Sequence, residues 1–181
     1  MNIALALTSL RLLLVPVLVL AFYLPFPGNH FAAAVIFTIA SITDWLDGYL
    51  ARKNNEITEF GTFLDPISDK IFVATIMLML VATDRVDGAW VVLVIFILVR
   101  EFTVSGLREF LGPKGIKVPV SALAKWKTAV QMIATGLLII GPYIYGGILL
   151  GLFGLLAATV ITVYTGWEYL KVGFEHMKDD V

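Results

Sequence analysis

Over 181 residues, 59% of them hydrophobic and only 15% charged, this chain is too apolar for a water-soluble domain of its size. A formal net charge of −1 leaves no nucleic-acid partner to expect, and the absence of cysteine excludes disulfides and thiolate-held metals. An integral membrane protein remains.

Apolar runs long enough to cross a bilayer as helix need about 17 to 25 residues, and six are read here in chain order. The first, residues 3 to 24, lacks a cationic lead and a small-residue cleavage site, so it reads as a retained helix, with Pro16 expected to kink it. Pro25, Pro27 and Gly28 turn the chain into a second run, 31 to 52. The third, 66 to 82, is expected to open at Asp65-Pro66, with Asp as N-cap and Pro at the first helical position. A solvated turn from Asp84 to Gly88 leads to the fourth run, 89 to 110. Gly112, Pro113 and Gly115 precede the fifth, 122 to 140, and Gly141 and Pro142 precede the sixth, 148 to 171. Gly147 and Gly151 have the spacing of a close-packed helix face, read as local packing. The expected architecture is one all-α domain over residues 1 to 181 with six transmembrane helices. Arg52, Lys53, Lys114, Lys117, Lys171 and Lys178 fall on one side of such a bundle and only Arg85 on the other, which places both termini in the cytoplasm.

Carboxylates interrupt two of these runs. An acid at the bilayer centre costs roughly 2.5 to 3.5 kcal/mol on insertion scales, so intramembrane acids imply a cationic partner. Asp44, Asp47, Gly48 and Ala51 share a helical face at i, i+3, i+4 and i+7, and Asp65 and Asp69 share one at i, i+4. Four unneutralised carboxylates at short range would repel, so a bound metal is expected where the faces meet. Oxygen-only donors point to Mg²⁺ or Mn²⁺, and four suffice for two ions of the kind that assist phosphoryl transfer. Gly48, Ala51 and Gly61 keep the backbone open there, and Arg52 is placed to hold a phosphate. Arg100 and Arg108 lie on roughly one face of the fourth helix, while Lys125 and Lys127 open the fifth. A metal-held phosphate beside a second basic pocket suggests two phosphorylated substrates.

These residues form D-x2-D-G-x2-A-R-x8-G-x3-D-x3-D, which resembles the signature of the CDP-alcohol phosphotransferases at Asp44, Asp47, Gly48, Ala51, Arg52, Gly61, Asp65 and Asp69. R-E-F-T-V-S-G-L-R from Arg100 and A-K-W-K-T from Ala124 are similar to the branch of bacterial phosphatidylglycerophosphate synthases. Members commonly begin N-I-P-N-x-L-T-x-x-R; here Asn2, Leu7, Thr8 and Arg11 match, and Ala4 and Leu5 replace the Pro and Asn. The resemblance implies transfer of a phosphatidyl group from CDP-diacylglycerol to sn-glycerol 3-phosphate, with release of CMP, by a homodimer in the bacterial inner membrane whose site faces the cytoplasm. It implies that Asp44, Asp47 and Asp65 bind one metal, that Asp65 and Asp69 contribute to a second, and that Asp69 is the catalytic base. Asp44, Gly48, Ala51, Arg52, Gly61 and Asp65 would form the CDP-diacylglycerol site. On the same footing, Arg100, Arg108, Lys125 and Lys127 would bind the acceptor phosphate. The shared signature leaves other acceptors open, including inositol phosphate or phosphatidylglycerol. A divalent-cation transporter is the reading from another class, and it fits poorly because such sites sit near the midplane between related halves.

Overall fold

Six apolar stretches punctuated by proline, glycine and aspartate become six α-helices in the computed structural model: α1 Ile3–Tyr23, α2 Asn29–Asn54, α3 Glu59–Ala82, α4 Val91–Leu111, α5 Ala122–Ile140 and α6 Gly147–Lys178. The structure describes residues 3–26, 28–54, 59–112, 115 and 122–178; side chains within 3–7, 44–54, 59–60, 62, 122, 124–125 and 175–178 fall outside the description. No strand occurs among the described residues. Two stretches, Gly88–Leu111 and Gly147–Phe174, are long and apolar enough to cross a membrane, and Thr8–Tyr23 and Asn29–Thr43 are shorter apolar helices.

The helix ends have local causes. At the end of α3, Asp84 takes the left-handed conformation (φ 54°), and the amides of Arg85 and Val86 return to the Leu80 carbonyl at 3.0 and 3.2 Å. This closure satisfies a carbonyl that the helix would otherwise leave bare. Asp84 and Asp87 remain exposed, as a solvated turn requires. One expectation is corrected: α3 begins at Glu59, and Pro66 lies inside it instead of opening it. A proline's fixed φ suits a helix, and its cost is confined to the missing N–H, a loss that packed helices tolerate. Around it, Ser68 Oγ donates to the Asp65 carbonyl (3.0 Å) and Lys70 Nζ to the Pro66 carbonyl (3.3 Å). Likewise α1 runs unbroken through Pro16.

Leu18, Phe37, Ile76, Leu80, Ile97, Leu138 and Leu155, drawn from all six helices, form the buried core. Large apolar side chains also point outward on every helix, among them Leu13, Phe31, Leu78, Ile95, Ile133 and Val160. Helix α1 packs on α2 and α3, and α6 on α5 and α4. Phe37 of α2 stacks on Phe72 of α3, with ring centroids 5.9 Å apart and planes within 7°.

One end of the bundle is closed by Arg85, which is buried. It donates to the Ile139 carbonyl (3.2 Å) and to His30 Nδ1 (2.7 Å), and lies 5.1 Å from the centre of the Phe22 ring. Burial, and then the Arg85 charge, hold His30 below its usual imidazole value, which keeps Nδ1 free to accept. Four helices or their connections thereby meet at one guanidinium.

Glycine sets the α5–α6 spacing. A Cβ at Gly151 would stand 2.7 Å from Leu138 Cγ and 3.1 Å from the Leu138 amide nitrogen, and one at Gly154 would stand 2.9 Å from Ala134 Cβ. Gly147 likewise meets the Gly141 backbone, so the spacing read from sequence belongs to packing within the chain. Overpacking a seam of this kind costs about 1–3 kcal/mol. Gly151→Val is expected to lower the thermal midpoint in detergent, measured by circular dichroism at 222 nm, and an unchanged midpoint would show that the seam can open.

Candidate functional site

Phe37 of α2 and Phe72 of α3 meet although each lies several turns from the ends of α2 and α3 that follow one another in the chain, so α2 and α3 run antiparallel. Asp44 lies seven residues beyond Phe37 on α2, and Asp65 lies seven residues before Phe72 on α3. Seven residues are two helical turns, about 10 Å, and return to nearly the same face. From the Phe37–Phe72 stack, both acid positions therefore sit at the same level, near the same end of the bundle. The side chains of Asp44, Asp47, Ala51, Arg52 and Lys125, and Gly48 with them, lie outside the described residues. Gly61 is described, half-buried on the first turn of α3.

On α3, Asp65 is exposed and Asp69, one turn on, is half-buried. Thr8 of α1 donates through Oγ1 to Asp65 Oδ1 at 2.6 Å, and Arg11 Nη1 donates to Ser68 Oγ at 3.4 Å. Thr8 and Arg11 are buried, at 1% and 2% exposure. Oxygen donors on adjacent turns, reachable from solvent and fixed from behind, fit a hard divalent cation such as Mg²⁺ or Mn²⁺. Among the described residues, no three acidic or imidazole side chains gather at one point.

The cationic residues on α4 and α5 do come together. Lys127 is buried and forms an ion pair with Glu101, and Arg100 Nη1 reaches the same carboxylate oxygen at 3.3 Å. Arg100 Nη2 also donates to Thr165 Oγ1 of α6 (3.3 Å). Arg108 is exposed and donates to the Tyr169 hydroxyl at 2.8 Å; the guanidinium carbons of Arg100 and Arg108 lie 5.8 and 5.0 Å from the centre of the Tyr169 ring. Gly166 makes room for this, since a Cβ there would stand 2.8 Å from Arg100 Cγ. Helix α3, which carries Asp69, packs against α4 and α5, which carry this cationic cluster.

Sequence reasoning named Thr8 only as a matching position of the N-terminal segment and passed over Glu101 and Tyr169. Glu101 stood inside R-E-F-T-V-S-G-L-R, and its signal was available: basic residues in apolar helices call for a carboxylate partner. Tyr169 lies 61 residues from Arg108 and Thr8 lies 57 from Asp65, separations over which periodicity carries no information.

The described residues thus form an apolar helical bundle with acidic positions on α2 and α3 and a paired cationic cluster on α4 and α5. The chain belongs to the CDP-alcohol phosphatidyltransferase family, whose sequence profile matches residues 1–166. It is 45% identical over 168 residues to the CDP-diacylglycerol–glycerol-3-phosphate 3-phosphatidyltransferase of Rickettsia felis, covering 91% of each chain. Proteins of the same name from Pseudomonas fluorescens and Escherichia coli K12 are each 40% identical to it, over 99% and 98% of this chain and 94% and 98% of their own.

Removing one partner of a buried ion pair typically costs 3–5 kcal/mol, whereas replacing both by apolar groups is often neutral. Glu101→Leu is therefore expected to lower the denaturation midpoint sharply, and Glu101→Leu combined with Lys127→Met to recover only part of the loss, because Arg100 still lacks its carboxylate, both followed by thermal unfolding in detergent. Equal losses in the two variants would mean that Glu101 and Lys127 do not depend on one another.

Proposed function

We propose that this enzyme transfers the phosphatidyl group of CDP-diacylglycerol to the 1-hydroxyl of sn-glycerol 3-phosphate, yielding phosphatidylglycerophosphate and CMP. The observation that carries this reading is its near full-length similarity, at 40–45% identity, to relatives bearing that activity in their names. The juxtaposed acidic and cationic groups support it. The acceptor oxygen attacks the phosphorus that carries the diacylglycerol, the bond from that phosphorus to the CMP oxygen breaks, and the hydroxyl proton passes to the Asp69 carboxylate. Asp44, Asp47, Asp65 and Asp69 would hold one or two divalent ions, which when bound supply Lewis-acid stabilisation of the diphosphate. Gly48, Ala51, Arg52 and Gly61 admit and bind the cytidine diphosphate moiety. Arg100, Arg108, Lys125 and Lys127 bind the acceptor phosphate, and the gathering of Arg100, Arg108 and Lys127 around Glu101 and Tyr169 supports their acting together.

All six helices cross the bacterial inner membrane as a single domain, 1–181. In support, each helix presents large apolar side chains outward, a surface that water would penalise and lipid would not. Lys and Arg in the loops orient both termini and the acidic site toward the cytoplasm. The functional unit is a homodimer, as the family resemblance implies.

The test is CMP release from CDP-diacylglycerol by the purified full chain in detergent with Mg²⁺, offering glycerol 3-phosphate, inositol phosphate, serine and phosphatidylglycerol separately. Turnover selective for glycerol 3-phosphate is expected, lost on chelation and in Asp69→Asn; turnover with a different acceptor would keep the chemistry and overturn the acceptor. Loss of a charged hydrogen bond to phosphate is worth about 1.5–3 kcal/mol, or roughly 10- to 100-fold. Arg100→Ala is accordingly expected to raise KM for glycerol 3-phosphate by that factor while leaving KM for CDP-diacylglycerol nearly unchanged, and equal effects on both would remove Arg100 from the acceptor pocket.

A further inference from the structure

The amino-terminal segment L-T-S-L-R has no part in the chemistry above, yet two of its polar side chains are among the most deeply buried in the molecule. Thr8 is 1% exposed and Arg11 is 2% exposed, although both lie in an apolar helix where a hydroxyl and a guanidinium are costly. Both face α3. Thr8 Oγ1 donates to Asp65 Oδ1 at 2.6 Å, a short bond of the kind made to an ionised acceptor, and one turn on Arg11 reaches Ser68 at 3.4 Å. Ser68, itself fully buried, donates in turn to the Asp65 carbonyl at 3.0 Å. Asp65 is thus held at its carboxylate by Thr8 of α1 and at its backbone carbonyl by Ser68 of α3, which Arg11 of α1 reaches in turn, while Asp65 itself stays exposed.

We infer that Thr8 is a positioning residue for the metal site: its hydroxyl occupies one oxygen of Asp65 and fixes the rotamer in which the remaining lone pairs face the cation. This rests on the proposed metal role of Asp65. A carboxylate in an apolar helix bundle that is free to rotate must be reordered each time it takes up a cation, and a donor from a neighbouring helix removes that cost in advance. The donor must be short and uncharged. A lysine or arginine at Thr8 would neutralise Asp65 and compete with the ion, whereas a hydroxyl orients the carboxylate and leaves its charge intact. In this role Thr8 acts on the cation through its hydrogen bond to Asp65.

The test is Mn²⁺ binding to the full-length protein in detergent without substrates, with free Mn²⁺ followed by its electron paramagnetic resonance signal. Loss of an outer-shell partner typically weakens metal affinity about 10- to 100-fold. Thr8→Val, which keeps the shape and removes the donor, is expected to raise the Mn²⁺ Kd by that factor, and Thr8→Ser to hold it within about two-fold of the wild type. If the valine does not yield folded protein, Thr8→Ala removes the same hydroxyl without crowding. Thermal midpoints recorded with excess chelator report packing alone, so a variant whose midpoint falls while its Mn²⁺ Kd stays at the wild-type value would overturn the inference. A wild-type protein that binds no Mn²⁺ and turns over in chelator would instead remove the metal reading, and the positioning role with it.

Discussion

A charge inside an apolar bundle is tolerated only when something answers it, and Glu101 is where this chain meets that condition most fully. Its carboxylate takes Lys127 from α5 and Arg100 from α4, and Arg100 goes on to Thr165 and the Tyr169 ring on α6. Three helices are tied by one anion. Lys127, which is buried, depends on it most, because an unpaired ammonium there would bear its full desolvation cost. The separation of α4, α5 and α6 near this end of the bundle is therefore set by an electrostatic requirement, with Gly166 yielding the space that the Arg100 stem occupies.

Helix α3 is the wall common to both halves of the site. Its Asp65 side is gripped from α1. The acid-bearing helix thus packs against α1 on one side and against the helices of the cationic cluster, α4 and α5, on the other.

The sequence conveyed the helices well because their signals are local. Apolar length, Gly-Pro turns and the Asp84 turn all act within a few residues, and α1, α4 and α5 begin and end within a residue or two of where the runs placed them. The exception, Pro66, is instructive: in isolation Asp65-Pro66 carries every mark of a helix start, but the chain from Glu59 is already helical and the packed bundle absorbs one missing N–H. The acidic signature was legible because four carboxylates spaced along apolar helices demand a cation to offset their desolvation and mutual repulsion. The contacts that orient it were not. That Thr8 reaches Asp65 and that Tyr169 lies beneath two arginines depend on which helix neighbours which, and side-chain periodicity is silent about neighbours. Glu101 falls between these cases: the residue was in plain view, and only the demand for charge balance would have singled it out.

The glycine seam between α5 and α6 has a mechanical consequence. Helix α6 runs for 32 residues, about 48 Å, against a hydrocarbon core of about 30 Å. It is pinned near its start, at Gly151 and Gly154, and Tyr169 lies fifteen residues further along, about 22 Å away. Gly151 and Gly154 form one pivot for α6, and Gly166 against Arg100 and Gly173 against Leu107 hold the helix again on either side of Tyr169. A contact too close to admit even a methyl group leaves little play at that pivot. Glycines spread along α6 thereby fix where Tyr169 meets the two arginines.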